Sequence, residues 1–434
     1  MGEVVNLKAA AKGGSGSRTR TTAKRSGPTR TTRRRQPQSK KTALVLGGGG
    51  FTGGVYEIGA LRALDLLSAN RTINQFDVYV GTSAGAFVAS LCANGVTPEE
   101  MMRVVTHQGP QAFRDIDLGD LLRLNLGEIA RTGVRLPLKV VSLARQALTH
   151  RGQVSLIDVL LGLAEALPTG AYTGEGIERY LGRVLAEDGR TNDFRELKNE
   201  LYLAATDLDT CERVVFGAPG FDDVPISTAV RASGALPMVY APVVVGDREL
   251  IDGGIVSTTN LDIAVRAGAS LVIVINPIVP YVNDPFASAD SAGGSSPRRI
   301  SDMGFSKIGY QAFKLLGYRR LHELASKWED RYPGVDIVLI EPELTDSLMF
   351  ETSIMSFSSR IEIARHGFQS VTRHLLDEYE RYSEIWERHG IHISERRVRK
   401  VVDHFEAEEE QVGAWRKILE GTTGALLRQS GSAG

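Results

Sequence analysis

The stretch that most constrains this chain is Phe76-Asp-Val-Tyr-Val80 followed by Gly81-Thr82-Ser83-Ala84-Gly85. The apolar run reads as a short buried strand, and residues 86–93 read as a helix. Strand, tight turn and helix form the setting in which Gly-x-Ser-x-Gly presents a nucleophile. Flanking glycines let the chain turn sharply with no Cβ to collide with neighbouring strands. The serine hydroxyl then stands near the positive end of the next helix, where free backbone N–H groups stabilise an oxyanion. The same five residues also suit a plain glycine-rich turn in any α/β protein, so the reading needs other stretches.

One is Leu44-Val-Leu-Gly-Gly-Gly-Gly50. A strand running into consecutive glycines aims several N–H groups at one point, suited to an anion or a developing oxyanion. Gly48-Gly49-Gly50-Phe51-Thr52-Gly53 also satisfies G-x-G-x-x-G, the dinucleotide fingerprint. No Lys-[Ser/Thr] follows, which excludes a P-loop. Asp77 lies within the next predicted strand, so no acidic residue stands clearly at its end. This stretch alone leaves oxyanion loop and cofactor loop open.

Ile251-Asp252-Gly253-Gly254 decides between them. A serine hydroxyl is a weak nucleophile without a base. A poorly solvated carboxylate at a strand end, beside two glycines that permit close approach, can serve as that base. The bland role for Asp252 is that of an ordinary Asp-Gly turn.

Together these three motifs, in this order, resemble the patatin-like phospholipases. Gly48-Gly49-Gly50 with Gly53 is similar to that family's oxyanion loop, Gly81–Gly85 to its nucleophile motif, and Asp252-Gly253-Gly254 to its aspartate motif. Ala204-Ala-Thr-Asp-Leu208 and Ala229-Val-Arg-Ala-Ser-Gly-Ala-Leu-Pro237 are also similar to family segments. The likeness spans about residues 42–277, and more weakly 335–376. It implies a three-layer α/β/α sandwich with a mostly parallel sheet, a helical cap and C-terminal helices. It further implies a Ser83–Asp252 dyad with oxyanion donors on Gly48, Gly49 and Gly50, requiring no metal and no cofactor. Many family members carry Arg or Lys where this chain has Thr52, which removes one cation that would favour phospholipid headgroups. Asp207 and Ser233 are candidates to line the site, with structural roles in turns the stronger expectation, and both stay outside the catalytic set. The rival Ser-Asp-His triad would need a histidine in a loop after a strand. His322, His366, His374, His389, His392 and His404 all fall in charged helical sequence.

Charge divides the chain. Net charge is −1, but residues 1–41 hold twelve Lys or Arg against Glu3, or +11, leaving −12 for the rest. Residues 1–41 carry almost nothing apolar and are expected to be a disordered basic tail, able to touch anionic lipid or nucleic acid or simply to be solvated. Residues 42–376 are expected to form the hydrolase domain, with 97–190 a mostly helical cap, 283–299 a flexible insertion, and 377–434 a C-terminal helical segment. Within the cap, residues 134–148 alternate an apolar with a cationic side, suited to lying on a membrane surface or to packing on the core. Val398, Val401, Val402 and Phe405 form an apolar stripe at i, i+3, i+4, i+7. Cys92 and Cys211, each placed in a core element, form no disulfide framework and no metal cluster. No secretory signal and no run of about 20 apolar residues is visible, so a cytoplasmic protein with peripheral membrane contact is expected.

The function expected is hydrolysis of lipid acyl esters. Two other classes remain: a non-catalytic lipid-binding relative, and a dinucleotide-binding oxidoreductase.

Overall fold

Runs such as Ala43-Leu-Val-Leu46 and Leu271-Val-Ile-Val-Ile275 have no polar face, so they belong in the middle of a sheet covered on both sides. The computed structural model describes residues 4–6, 41–106, 125, 169–283 and 299–408. In chain order its strands are β1 (Val4–Asn6), β2 (Lys41–Leu46), β3 (Val78–Thr82), β4 (Gly170–Tyr172), β5 (Glu200–Asp207), β6 (Arg213–Phe216), β7 (Met238–Tyr240), β8 (Val243–Val245), β9 (Arg248–Asp252), β10 (Ala269–Ile275) and β11 (Asp336–Ile340). The helices are α1 (Gly50–Leu67), α2 (Ala84–Ala93), α3 (Pro98–Val105), α4 (Glu175–Leu185), α5 (Ile226–Ser233), α6 (Asp262–Arg266), α7 (Phe305–Ser326), α8 (Trp328–Arg331), α9 (Ser347–Glu351), α10 (Arg360–Asp377), α11 (Tyr379–Arg388) and α12 (Glu395–Glu408).

The main sheet runs β1-β11-β10-β2-β3-β5-β9-β8, with β6 paired to β5 off this path. Strands β1 to β5 along that order are parallel, and β9, β8 and β6 join antiparallel. A separate parallel pair joins β4 to β7. Alternate residues of each central strand feed two cores. Leu44, Leu46, Tyr79, Leu203 and Ile273 pack under α1 and α2. Ala43, Val45, Val78, Val80 and Val272 pack with Leu261, Leu321 and Trp328 on the other face. This is the three-layer, mostly parallel sandwich that the family resemblance implies. The chain leaves β2 toward β3 on one side, and β10 later joins β2 on the other. The crevice at the carboxyl ends of β2 and β3 is therefore a topological switch point, where open α/β sheets bind ligands.

Several expectations are corrected. The basic tail was expected to be unstructured throughout, yet Val4–Asn6 adds a parallel edge strand to β11, with Val4, Val5 and Asn6 facing Ile337, Val338 and Leu339 in register. Two valines and an asparagine are enough to extend an open sheet edge. Helix α1 starts at Gly50, directly on the glycine run. It is buried around almost its whole circumference, because α10 covers the side away from the sheet. There Gly59 and Gly367 allow contact that a Cβ would block, at 2.0 Å from Ala364 O and 2.4 Å from Tyr56 O. Cys211 is exposed in the turn between β5 and β6, whereas Cys92 is buried. Helix α5 and strand β7 lacked a clear periodic signal. The amphipathic stretch 134–148 and nearly all of the insertion 283–299 lie outside the described residues. Val398, Val401 and Val402 are buried on α12 as their spacing predicts.

Candidate active site

The two glycine motifs meet at the ends of β2 and β3. Ser83 is the residue before α2 and holds φ 55°, ψ −122°, a conformation that costs an L-residue about 1–3 kcal/mol and points to function. Gly85 makes the turn feasible. A Cβ there would lie 2.4 Å from Gly47 O and from Leu46 O, and its N–H donates to Gly47 O at 3.0 Å. The serine turn and the glycine turn are thereby one locked unit.

Asp252 ends β9, which pairs antiparallel with β5, itself beside β3. This brings two residues 169 positions apart into contact. Ser83 Oγ donates to Asp252 Oδ2 at 2.6 Å. Gly254 N–H donates to the other oxygen, Oδ1, at 2.7 Å, so Gly254 holds the carboxylate, while Gly253 allows close approach to Ala204. Asp252 is 3% exposed and Ser83 9%. Burial pushes the Asp252 carboxyl up to about 6, against the pull of the Ser83 and Gly254 hydrogen bonds. A carboxylate held there in its basic form, but readily protonated, suits proton exchange with a hydroxyl near neutral pH.

The glycine run requires one correction. Gly48 lies beside Ser83, but its N–H donates to Thr258 O at 3.0 Å, and that of Gly47 to Ile275 O at 2.9 Å. Gly48 therefore has no free N–H to offer an oxyanion. Among the described residues, the N–H groups of Gly49, Gly50 and Ala84 meet no acceptor. Gly49 and Gly50 hold φ 148° and 62°. Ala84 follows the serine at the start of α2, so its N–H is an unpaired helix-terminal donor.

Ser233 does more than support its own turn. Its Oγ accepts the Ser83 N–H at 2.9 Å and donates to Ala204 O at 2.6 Å, clamping the strained residue to β5. Asn260 Nδ2 donates to Thr82 Oγ1 at 3.0 Å, bracing β3 from the segment after Asp252. No local signal marks Asn260, and the clamp made by Ser233, unlike its presence near the motifs, shows only through distant contacts. Asp207 keeps the turn role expected of it, accepting from the N–H groups of Asp209 and Thr210 and from Arg248. Thr52 is buried, and its hydroxyl donates to Ser353 O at 2.7 Å. His322, His366 and His389 pair with Glu341, Asp346 and Asp336.

An apolar pocket opens over Ser83. Phe51 and Val55 of α1, Phe87 of α2, Val104 of α3, Tyr180 of α4 and Phe357 line it. Of these, Val104 and Tyr180 come from the described parts of the region 97–190. Among the described residues no cluster of three or more His, Cys, Asp or Glu could hold a metal ion, and no helix is long and apolar enough to cross a membrane.

Comparison with known proteins adds to this geometry. The Patatin family model, described as patatin-like phospholipase, matches residues 44–265. A probable lipid hydrolase, 463L, of Invertebrate iridescent virus 6 is 24% identical over 229 residues, covering 51% of this chain and 63% of that protein. A cUMP-AMP-activated phospholipase of Escherichia coli is 26% identical over 216 residues, covering 49% of this chain and 53% of its own length. The chain thus spans less than two thirds of the curated relatives it matches. Among solved structures, VipD from Legionella pneumophila aligns over 78% of this chain and 67% of its own, at 16% identity and a TM-score of 0.36.

Proposed function

The chain belongs to the patatin-like phospholipase family, and from that premise we propose that it is a serine acyl hydrolase cleaving lipid acyl esters. Asp252 takes the proton of Ser83 Oγ as that oxygen attacks the ester carbonyl. The oxyanion is held by the free N–H groups of Gly49, Gly50 and Ala84. Protonated Asp252 then gives its proton to the departing alkoxide, leaving an acyl-Ser83. A water deprotonated by Asp252 attacks the acyl group, and the acid leaves as Ser83 regains a proton. The apolar pocket takes the acyl chain, whose burial contributes roughly 0.8 kcal/mol per CH₂.

The observation that carries this reading is the 2.6 Å contact between Ser83 Oγ and Asp252 Oδ2 in a nearly dry site. A lipid-binding relative without turnover has no use for a strained serine paired with a buried carboxylate. A dinucleotide loop is disfavoured because the backbone of Ile354 closes over the glycines; a Cβ on Gly50 would lie 2.8 Å from its carbonyl oxygen. A p-nitrophenyl acyl-ester series on wild type, Ser83→Ala and Asp252→Asn tests the proposal. Hydrolysis that rises with chain length and falls by about 10³-fold or more in either variant is expected. Full activity in Ser83→Ala would rule the mechanism out.

A further inference from the structure

Among the described residues lining the Ser83 pocket, Arg360 is the charged side chain. It opens α10, outside the stretch that matches the family model. Its Nε–H donates to Val105 O and an Nη1–H to Phe357 O, both at 2.9 Å. The guanidinium also lies over the Phe357 ring, 4.1 Å from the centroid. Two carbonyls and an aromatic face therefore fix its plane. Among the described residues no carboxylate pairs with it, and Nη2 donates to none of them.

A guanidinium stays charged even where burial lowers its pKa, as burial does here. Arg360 is half-buried and meets two carbonyls and a ring but, among the described residues, no carboxylate, so its charge is open to an anion. A side chain held this way is pre-ordered for that anion, so little entropy is lost in pairing. Thr52, next to the glycines, is uncharged, and its hydroxyl is spent on Ser353 O. In a lipid acyl ester, the anion that travels with the ester bond is a phosphate on the alcohol side.

We propose that Arg360 is a specificity-determining residue: it pairs with the phosphate of a phosphate-bearing acyl ester while the ester carbonyl meets Ser83. This rests on the hydrolase reading, yet it concerns selection between charged and neutral esters rather than the chemistry. Arg360 lines the same pocket as Ser83 and takes no part in bond making.

The test uses two soluble esters with one acyl chain, octanoyl-glycerol phosphate and monooctanoylglycerol, and the full chain as wild type, Arg360→Met and Arg360→Lys. Wild type should favour the phosphate ester by about tenfold or more in kcat/KM. Arg360→Met should bring that ratio near one, and Arg360→Lys should keep part of it. Calorimetric binding of both esters to Ser83→Ala, with and without Arg360→Met, should show the same order. That arm needs no turnover, so loss of the hydrolase reading leaves it standing. Three results would overturn the proposal. They are no preference in wild type, a ratio kept in Arg360→Met although both esters lose equally, and glycerol phosphate binding as tightly as its acylated form. The second would assign Arg360 to anchoring Val105 and Phe357, and the third would mark a free-phosphate site.

Discussion

Ser83 holds φ 55° only because its neighbours over-determine it, and Ser233 is the clearest of them. Ser233→Ala would leave the Ser83 N–H and Ala204 O without their shared partner. A stability loss of about 1–3 kcal/mol is expected, seen as a lower urea midpoint, with kcat reduced by about tenfold or more. The Asp252 carboxyl, raised to about 6 by burial, sets two pH effects. As base it must be ionised, so kcat/KM should rise with pH through about 6 and then level. For stability the sign is opposite. The fold binds this proton more tightly than the unfolded chain, so its contribution is full below the ordinary carboxylate value and lost as pH rises through about 6. Asp252→Asn should therefore gain Tm relative to wild type as pH increases while losing turnover, and thermal melts across pH check it. Ser83 and Asp252 were legible because each sits in a short glycine motif whose backbone demands are local. Ser233 was not, since its role exists only once α5 packs beside β5. Gly48 was over-read, since sequence cannot tell which N–H in a glycine run β10 and the 253–260 segment have already claimed.

At the scale of elements, α1 shows what periodicity leaves out. Ile58, Leu61, Leu64 and Leu67 mark one face, but the opposite face is buried too, including Glu57 and Arg62. Arg62 has Asp65 and Glu99 as charged partners. Glu57 is fully buried, and burial pushes its pKa well up against the weaker opposing pull of the Gly47 backbone. Its stability contribution is thus present at acid pH and lost as pH rises. Glu57→Gln should raise Tm more at pH about 8 than at about 5. Gly59, where a Cβ would meet Ala364 O at 2.0 Å, cannot take a side chain without α1 and α10 separating. Gly59→Ala should cost about 3 kcal/mol or more, measured by chemical denaturation. The partner face was invisible because α10 lies about 300 residues away in sequence, and a helix covered on both sides loses the one-sided stripe that would announce it.

Across the whole molecule, the site is assembled from both ends of the chain. Strand β11 extends the sheet beside β10, α10 covers α1, and residues 353–360 close over the glycine turn and the pocket. A chain ending after Ile340 would expose the outer face of α1 and lose Arg360. It should give no cooperative thermal transition even though every motif residue is present. The architecture was legible through the family resemblance that the order of the three motifs carries. The closing role of 347–377 was not, because it is a matter of long-range packing and not of local pattern. The central claim is that Ser83 is a nucleophile activated by Asp252. Fluorophosphonate labelling of the intact protein, read by mass at the modified peptide, tests it most directly. The account predicts one adduct on Ser83 in wild type, none in Ser83→Ala, and labelling slowed by at least about 10²-fold in Asp252→Asn. Labelling at wild-type rate in Asp252→Asn, or an adduct on another serine while Ser83 stays free, would contradict it.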